Sequence, residues 1–169
     1  MSEHVFRGVA YAFTRGMDPR LKDGVRAHPL VLAAGLLFHA GIASALLSVA
    51  LALVDVSPAA WLRVVLVGLA AAGAIAGLTL LVRRLREPVL QAISVADDYI
   101  SNLLVVVVLI GSAAFLLFPE LRAVLLVLSA VLVIYAPFGK IRHCVLFFVT
   151  RARYGAFLGT RGVLIGRRR

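Results

Sequence analysis

Apolar residues fall in four long runs, at about residues 30–54, 61–82, 100–118 and 121–149, and charged residues gather between and beyond them. A helix rising ~1.5 Å per residue needs ~20 apolar residues to cross the hydrocarbon of a bilayer. Each run is therefore read as a span, and the expected fold is all-α, an integral membrane bundle of four transmembrane helices forming one membrane domain over residues 1–169.

The segments around these runs are read in chain order. Residues 1–28 are polar enough to lie in water or on headgroups, and positions 5–16, with Val5, Tyr11 and Phe13, can form a short interfacial amphipathic helix in which His4 is simply solvated. Pro29 suits the first turn of the first span, where its missing N–H has no partner anyway. The second span is rich in small residues, and Gly73 and Gly77 lie four apart, a spacing that lets helices approach closely. Arg83-Arg84-Leu85-Arg86-Glu87-Pro88 leads through a short amphipathic piece to Asp97-Asp98-Tyr99. The two aspartates are expected to complement the positive end of the third helix rather than to catalyse. Asn102, one turn further on, reads either as a polar contact between helices or as a residue near a bound cofactor.

Pro119-Glu120 turns the chain into the fourth run, which is longer than a membrane requires. Pro137 removes a backbone hydrogen bond within it and is expected to kink it, so that its last turns run at a new angle or emerge into the interface. Residues 150–169 form a basic tail in which Gly155, Gly159, Gly162 and Gly166 are expected to break any long helix.

Composition supports a membrane protein. The 169 residues are 62% hydrophobic and 15% charged, well above the apolar share of ~45–50% in soluble domains. A net charge of +10 would suggest nucleic acid in a soluble protein. Here no aromatic and basic residues interleave on a solvated surface, and the 18 Lys and Arg cluster at the ends of apolar runs, where they meet anionic lipid headgroups. By segment, five precede the first span, one follows it, three lie between the second and third, one lies in the third turn and eight close the chain. Both termini and the middle connection are thus expected on the cytoplasmic side. Cys144 is the single cysteine, so an intrachain disulfide or a cluster held by several cysteines of this chain is ruled out. Residues 1–28 lack the short apolar core and cleavage site of a signal peptide.

The candidate chemistry lies in histidines placed inside apolar runs, where an ionisable side chain is expensive and points to function. His39 is about ten residues into a span that starts on the cytoplasmic side, and His143 is a turn or two before the end of a span returning to it. Two neutral imidazoles at matching depth can be the axial ligands of a b-type haem. They can equally bond between helices or serve a proton path. Gly35 and Gly41 flank His39 and can leave room for a porphyrin, while Lys140 and Arg142 either snorkel to headgroups or neutralise haem propionates. His28 lies eleven residues before His39, on nearly the same helical face; it is an interfacial residue, a proton acceptor at a quinone site or a ligand with a partner on another chain.

Leu37-Phe38-His39-Ala40-Gly41-Ile42 and Pro137-Phe138-Gly139-Lys140-Ile141-Arg142-His143 resemble the haem b membrane (gamma) subunit of respiratory nitrate reductase and the related subunits that join quinones to heterodisulfide-reductase-like iron–sulfur proteins. The likeness extends loosely over the four spans and into Phe147-Phe148 to Arg161-Gly162-Val163. It implies that His39 and His143 bind the haem nearer the cytoplasmic partner. The family's second pair, for an outer haem, would fall at Val49 and Leu125, so one haem b is implied rather than two. A further leading span of that family has no counterpart here.

The function expected on that resemblance is electron transfer between the quinone or menaquinone pool and an iron–sulfur subunit on the cytoplasmic face of a bacterial or archaeal cytoplasmic membrane. The chain itself is then an electron-transfer subunit of an oxidoreductase complex, with quinone in the inner half of the bilayer. The alternative is a haemless anchor or assembly subunit. A proton or ion carrier is disfavoured, because Asp55, Asp97, Asp98 and Glu120 all lie at the ends of spans.

Overall fold

The computed structural model describes residues 3–18 and 28–162, and these are helical without any strand. The helices are α1 (Glu3–Phe13), α2 (Pro29–Val54), α3 (Ala60–Arg86), α4 (Pro88–Ile93), α5 (Ala96–Leu117), α6 (Arg122–Tyr135) and α7 (His143–Thr160). They divide into two compact units, Pro29–Ile141 and a terminal unit of Met1–His28 with Arg142–Arg169. The basic positions Arg20, Lys22, Arg26 and Arg167 to Arg169, and Gly166, lie outside the described residues.

Three helices, α2, α3 and α5, are long and apolar enough to cross a membrane. Their limits match three of the expected spans to within four residues at each end. The fourth apolar run is not one continuous helix. It breaks where Pro137 removes an N–H: Ala136 still donates to Leu132, but Phe138 and Gly139 both bond back to Tyr135 and the helix closes there. The 14 residues of α6 span only ~21 Å, short of a ~30 Å hydrocarbon core. The spans number three, or four if the broken pair counts as one.

Within Pro29–Ile141, α2 lies along α3, α3 along α5, and α5 along α6. Small residues set these approaches. The buried stripe of α2 is Gly41, Ser44, Ala45, Ser48 and Ala52, at the three- and four-residue spacing of one helical face. A Cβ on Gly73 would sit 2.7 Å from the Cα of Gly41, so the two backbones touch where the helices cross. One turn further along α3, Gly77 accommodates the Phe38 ring and Val106. The paired glycines of α3 are thus used for packing, as their spacing predicts. Ser44 donates a buried hydrogen bond to the Leu66 carbonyl across the same interface (2.8 Å). Around these contacts pack Leu66, Val106, Leu109 and Leu125, while Leu36, Leu46, Leu53, Val64, Ile75 and Val133 face outward. Large apolar side chains on the outside of an apolar bundle are what lipid contact requires.

The terminal unit is an antiparallel helix pair. Gly155 and Gly159, expected to interrupt a helix, instead lie inside α7 and form its contact surface. A Cβ on Gly155 would fall 2.7 Å from Val9 Cα, and one on Gly8 would fall 2.8 Å from Gly159 Cα. The glycines keep the helix because close approach of α1 offsets their poor helical propensity. Gly162, just past the end of α7, has φ +64°, the left-handed conformation common after a helix C-terminus. Arg151 donates to the carbonyls of Ala12 (2.8 Å) and Gly16 (2.6 Å), satisfying acceptors left over at the end of α1. Phe13 stacks on Phe148 and meets Phe147 edge-on. Gly155→Leu is expected to part the helices, seen as faster tryptic cleavage after Arg7 and Arg15 than in the unsubstituted protein.

Candidate functional site

His39 stands on the face of α2 turned away from the helix crossing. At ~100° per residue, Gly41 is ~200° round the helix from it and Gly35 is on its own side. The space beside Gly41 is filled by Gly73, so Gly41 serves helix packing and is not room next to the imidazole. Gly35 is different: nothing lies within 4 Å of where its Cβ would be. His39 is exposed and its Nδ1 lies 2.7 Å from the Gly35 carbonyl. A carbonyl only accepts, so Nδ1 carries the proton and the Nε2 lone pair of the neutral ring remains available to a metal. Histidine ligands are commonly oriented in this way. Phe38, edge-on to the imidazole at 6.2 Å, turns inward against Gly77.

His143 is the first residue of α7 and is exposed, as are Arg142 and Cys144 beside it. His39 belongs to the Pro29–Ile141 unit and His143 to the terminal one. His28, immediately before α2, is exposed. Among the described residues no three or more His, Cys, Asp or Glu side chains gather as a metal cluster. Haem needs only axial nitrogens from the protein, so the relevant test is the donor itself. On His39's side the residues fit: an oriented imidazole, an open glycine and the exposed Leu36 near them.

The densest polar network lies where α5 begins and α6 ends. Asp97 accepts hydrogen bonds from the Tyr135 hydroxyl and from Ser101 (3.0 Å) on Oδ1, and from the Lys140 backbone N–H (2.7 Å) on Oδ2. Gly139 is buried under this carboxylate: its Cβ would lie 2.7 Å from Asp97 Oδ1 and 2.5 Å from the Tyr135 ring. Asp98 does what was expected of both aspartates, accepting from the Val95 N–H (3.0 Å) as the acid of a capping arrangement. It also pairs with Lys140 Nζ at 2.5 Å and with Arg84 at 3.3 Å. Asp97 is not a cap; it ties down the Pro137–Lys140 turn. The sequence signals were Ser101 one helical turn after Asp97 and the Tyr135/Gly139 pair around the proline, but nothing local connects two segments about forty residues apart.

This network changes the electrostatic picture. The ammonium of Lys140 is engaged by Asp98, so of the two expected propionate partners Arg142 is the more available. In the middle connection Arg83 is held by Glu87 through two bonds of 2.7 and 3.0 Å, and Arg84 by Asp98 and Ser94. Two of its three arginines are thereby paired internally, Arg84 sharing the one carboxylate of Asp98 with Lys140. Asn102 Oδ1 is buried without a hydrogen-bond partner, so the interhelical bond foreseen for it is not made through that oxygen.

At the opposite end of the bundle, Asp55 and Arg122 form a 2.6 Å ion pair over a shallow open hollow also lined by Arg63 and Phe115. The positions of the absent second histidine pair are both packed: Leu125 is fully buried and Val49 lies against the core.

Apolar helices of spanning length around a core of small residues define the protein as all-helical, membrane-embedded and multi-pass. Comparison with protein-family models, with curated proteins and with solved structures finds no match.

Proposed function

We propose that the protein is a haem b membrane subunit that passes electrons between the quinone pool and an iron–sulfur protein docked on the cytoplasmic side. The observation that carries this reading is His39. Its imidazole, with Nδ1 bonded to the Gly35 carbonyl, presents Nε2 from the outer face of an apolar helix beside an open glycine. His143 is the second axial ligand. The packing at Leu125 supports a single haem, since the place of an outer ligand is filled by core side chains.

In this reading haem supplies a one-electron couple, and the chain supplies its surroundings. Gly35 holds the His39 proton on Nδ1 and so fixes the ring. Arg142 answers propionate charge at the headgroup level, and the apolar faces exclude water. His28 is the proton-exchanging group for quinone at the membrane boundary. In this reading α2, α3 and α5 cross the membrane and residues 119–141 make the fourth crossing, which puts both termini on the cytoplasmic side, as the distribution of basic residues predicts. The bacterial or archaeal cytoplasmic membrane and the iron–sulfur partner rest on the resemblance of the two histidine segments.

The test is a reduced-minus-oxidised visible spectrum of the purified protein. A b-type band lost in both His39→Ala and His143→Ala, but kept in His28→Ala, is the expected result. A protein that folds and carries no such band is instead a haemless anchor subunit, and the proposal fails.

A further inference from the structure

We infer that α1 and α7 form a two-helix platform that lies in the headgroup layer of an anionic bilayer. The inference does not rest on haem, although it puts His143, the first residue of α7, at the hydrocarbon boundary. The two helices touch through Gly8, Ala12, Gly155 and Gly159, with Phe13 against Phe147 and Phe148, and this leaves Phe6, Tyr154 and Phe157 outside the contact. Phe6, Phe148, Tyr154 and Phe157 are each more than half exposed, at 63%, 61%, 56% and 51%. At ~100° per residue α1 carries Val5, Phe6, Val9 and Phe13 on one side and Glu3, His4, Arg7 and Thr14 on the other; Val5, Val9 and Phe13 meet α7, and Phe6 extends that apolar side beyond the contact.

α7 is unsuited to crossing the hydrocarbon, since Arg151 and Arg153 fall at its middle. Lying flat, the exposed Arg153 reaches phosphate while its stem covers apolar surface, and Arg151 stays bonded to the Ala12 and Gly16 carbonyls. Arg161, 4.5 Å over the Phe157 ring, already pairs a cation with an aromatic at one end. The charge balance selects the lipid. Among the described residues of this unit, Arg7, Arg15, Arg142, Arg151, Arg153 and Arg161 face only Glu3 and Asp18 as acids, and Glu3 is 3.7 Å from Arg7. Each unneutralised arginine near an anionic surface strengthens attachment and makes it salt-dependent.

Cys144, the only cysteine and exposed at the start of α7, gives a direct test in the full-length protein. An environment-sensitive fluorophore is attached there and, in a Cys144→Ser background, at Val149→Cys and Thr160→Cys. The protein is reconstituted in phosphatidylcholine vesicles with or without phosphatidylglycerol, and quenching is compared for lipids labelled at the headgroup and at the chain midpoint. The expected result is one shallow depth at all three positions, with headgroup quenching that increases with phosphatidylglycerol and falls with salt. A depth gradient of ~24 Å between positions 144 and 160 would mean a transmembrane helix and overturn the inference. Absence of lipid quenching, as for a face covered by protein or water, overturns it too, as does quenching indifferent to lipid charge.

Discussion

Gly73→Leu is expected to lower the stability of the Pro29–Ile141 bundle by about 3 kcal/mol or more, since added volume in a tight contact forces the helices apart. The Gly41 Cα already lies 2.7 Å from the position of a Gly73 Cβ, and the Leu37 carbonyl is 3.3 Å away. No side-chain rotation relieves a clash with backbone. Gly68→Leu, five residues earlier on the same helix, adds the same atoms where nothing lies within 4 Å, and is expected to change stability by no more than ~0.5 kcal/mol. Unfolding in mixed micelles with increasing dodecyl sulfate distinguishes the two. Equal midpoints for both variants would show that the Gly41–Gly73 crossing does not limit stability. Intrinsic helix propensity cannot mimic the expected result, because the gain from replacing glycine is the same at both sites.

Asp97→Ala is expected to release the turn between α6 and α7. The carboxylate collects the Tyr135 hydroxyl, the Ser101 hydroxyl and the Lys140 amide. Hydrogen bonds to a charged group are stronger than neutral ones, and removing their common acceptor leaves three donors without it. Exchange at the Lys140 amide is then expected to be about a hundredfold faster. Hydrogen exchange followed by mass spectrometry should show this in the peptide covering residues 136–141, with the α2 and α3 peptides unchanged. Tyr135→Phe removes one donor and leaves the Lys140 amide bonded, so its effect should be about tenfold or less. Protection unaltered by Asp97→Ala would mean that Pro137 alone holds the turn.

These two results separate what local pattern predicts from what it does not. The lengths of α2, α3 and α5 follow from uninterrupted apolar runs, because a membrane-length helix needs nothing from the rest of the chain to satisfy its backbone. Pro137 marks the end of α6 for the equally local reason that proline has no N–H to offer. His39 and its tautomer are also nearly local: the imidazole and the Gly35 carbonyl are one turn apart on a single helix. Asp98 as a capping acid needs only Val95, three residues before it.

Other features needed chain segments to meet. Gly35 and Gly41 look alike in sequence on either side of His39, yet one faces open space and the other the backbone of Gly73; only the placement of α3 makes the difference. Gly155 and Gly159 read as helix breakers until α1 is laid against them, since a missing side chain weakens an isolated helix and permits close packing of a paired one. Lys140 reads as an anchor to headgroups or a propionate partner until Asp98, forty-two positions earlier, is found 2.5 Å from its ammonium. Asp97 differs from Asp98 by a single position, and that ~100° of rotation on α5 sends one carboxylate to its own helix start and the other to the turn beyond Tyr135. Residue type and spacing determined which segments are helical and where proline ends one. Which small residues are contacts, and which charges are already answered, depended on distances between helices that no local pattern encodes.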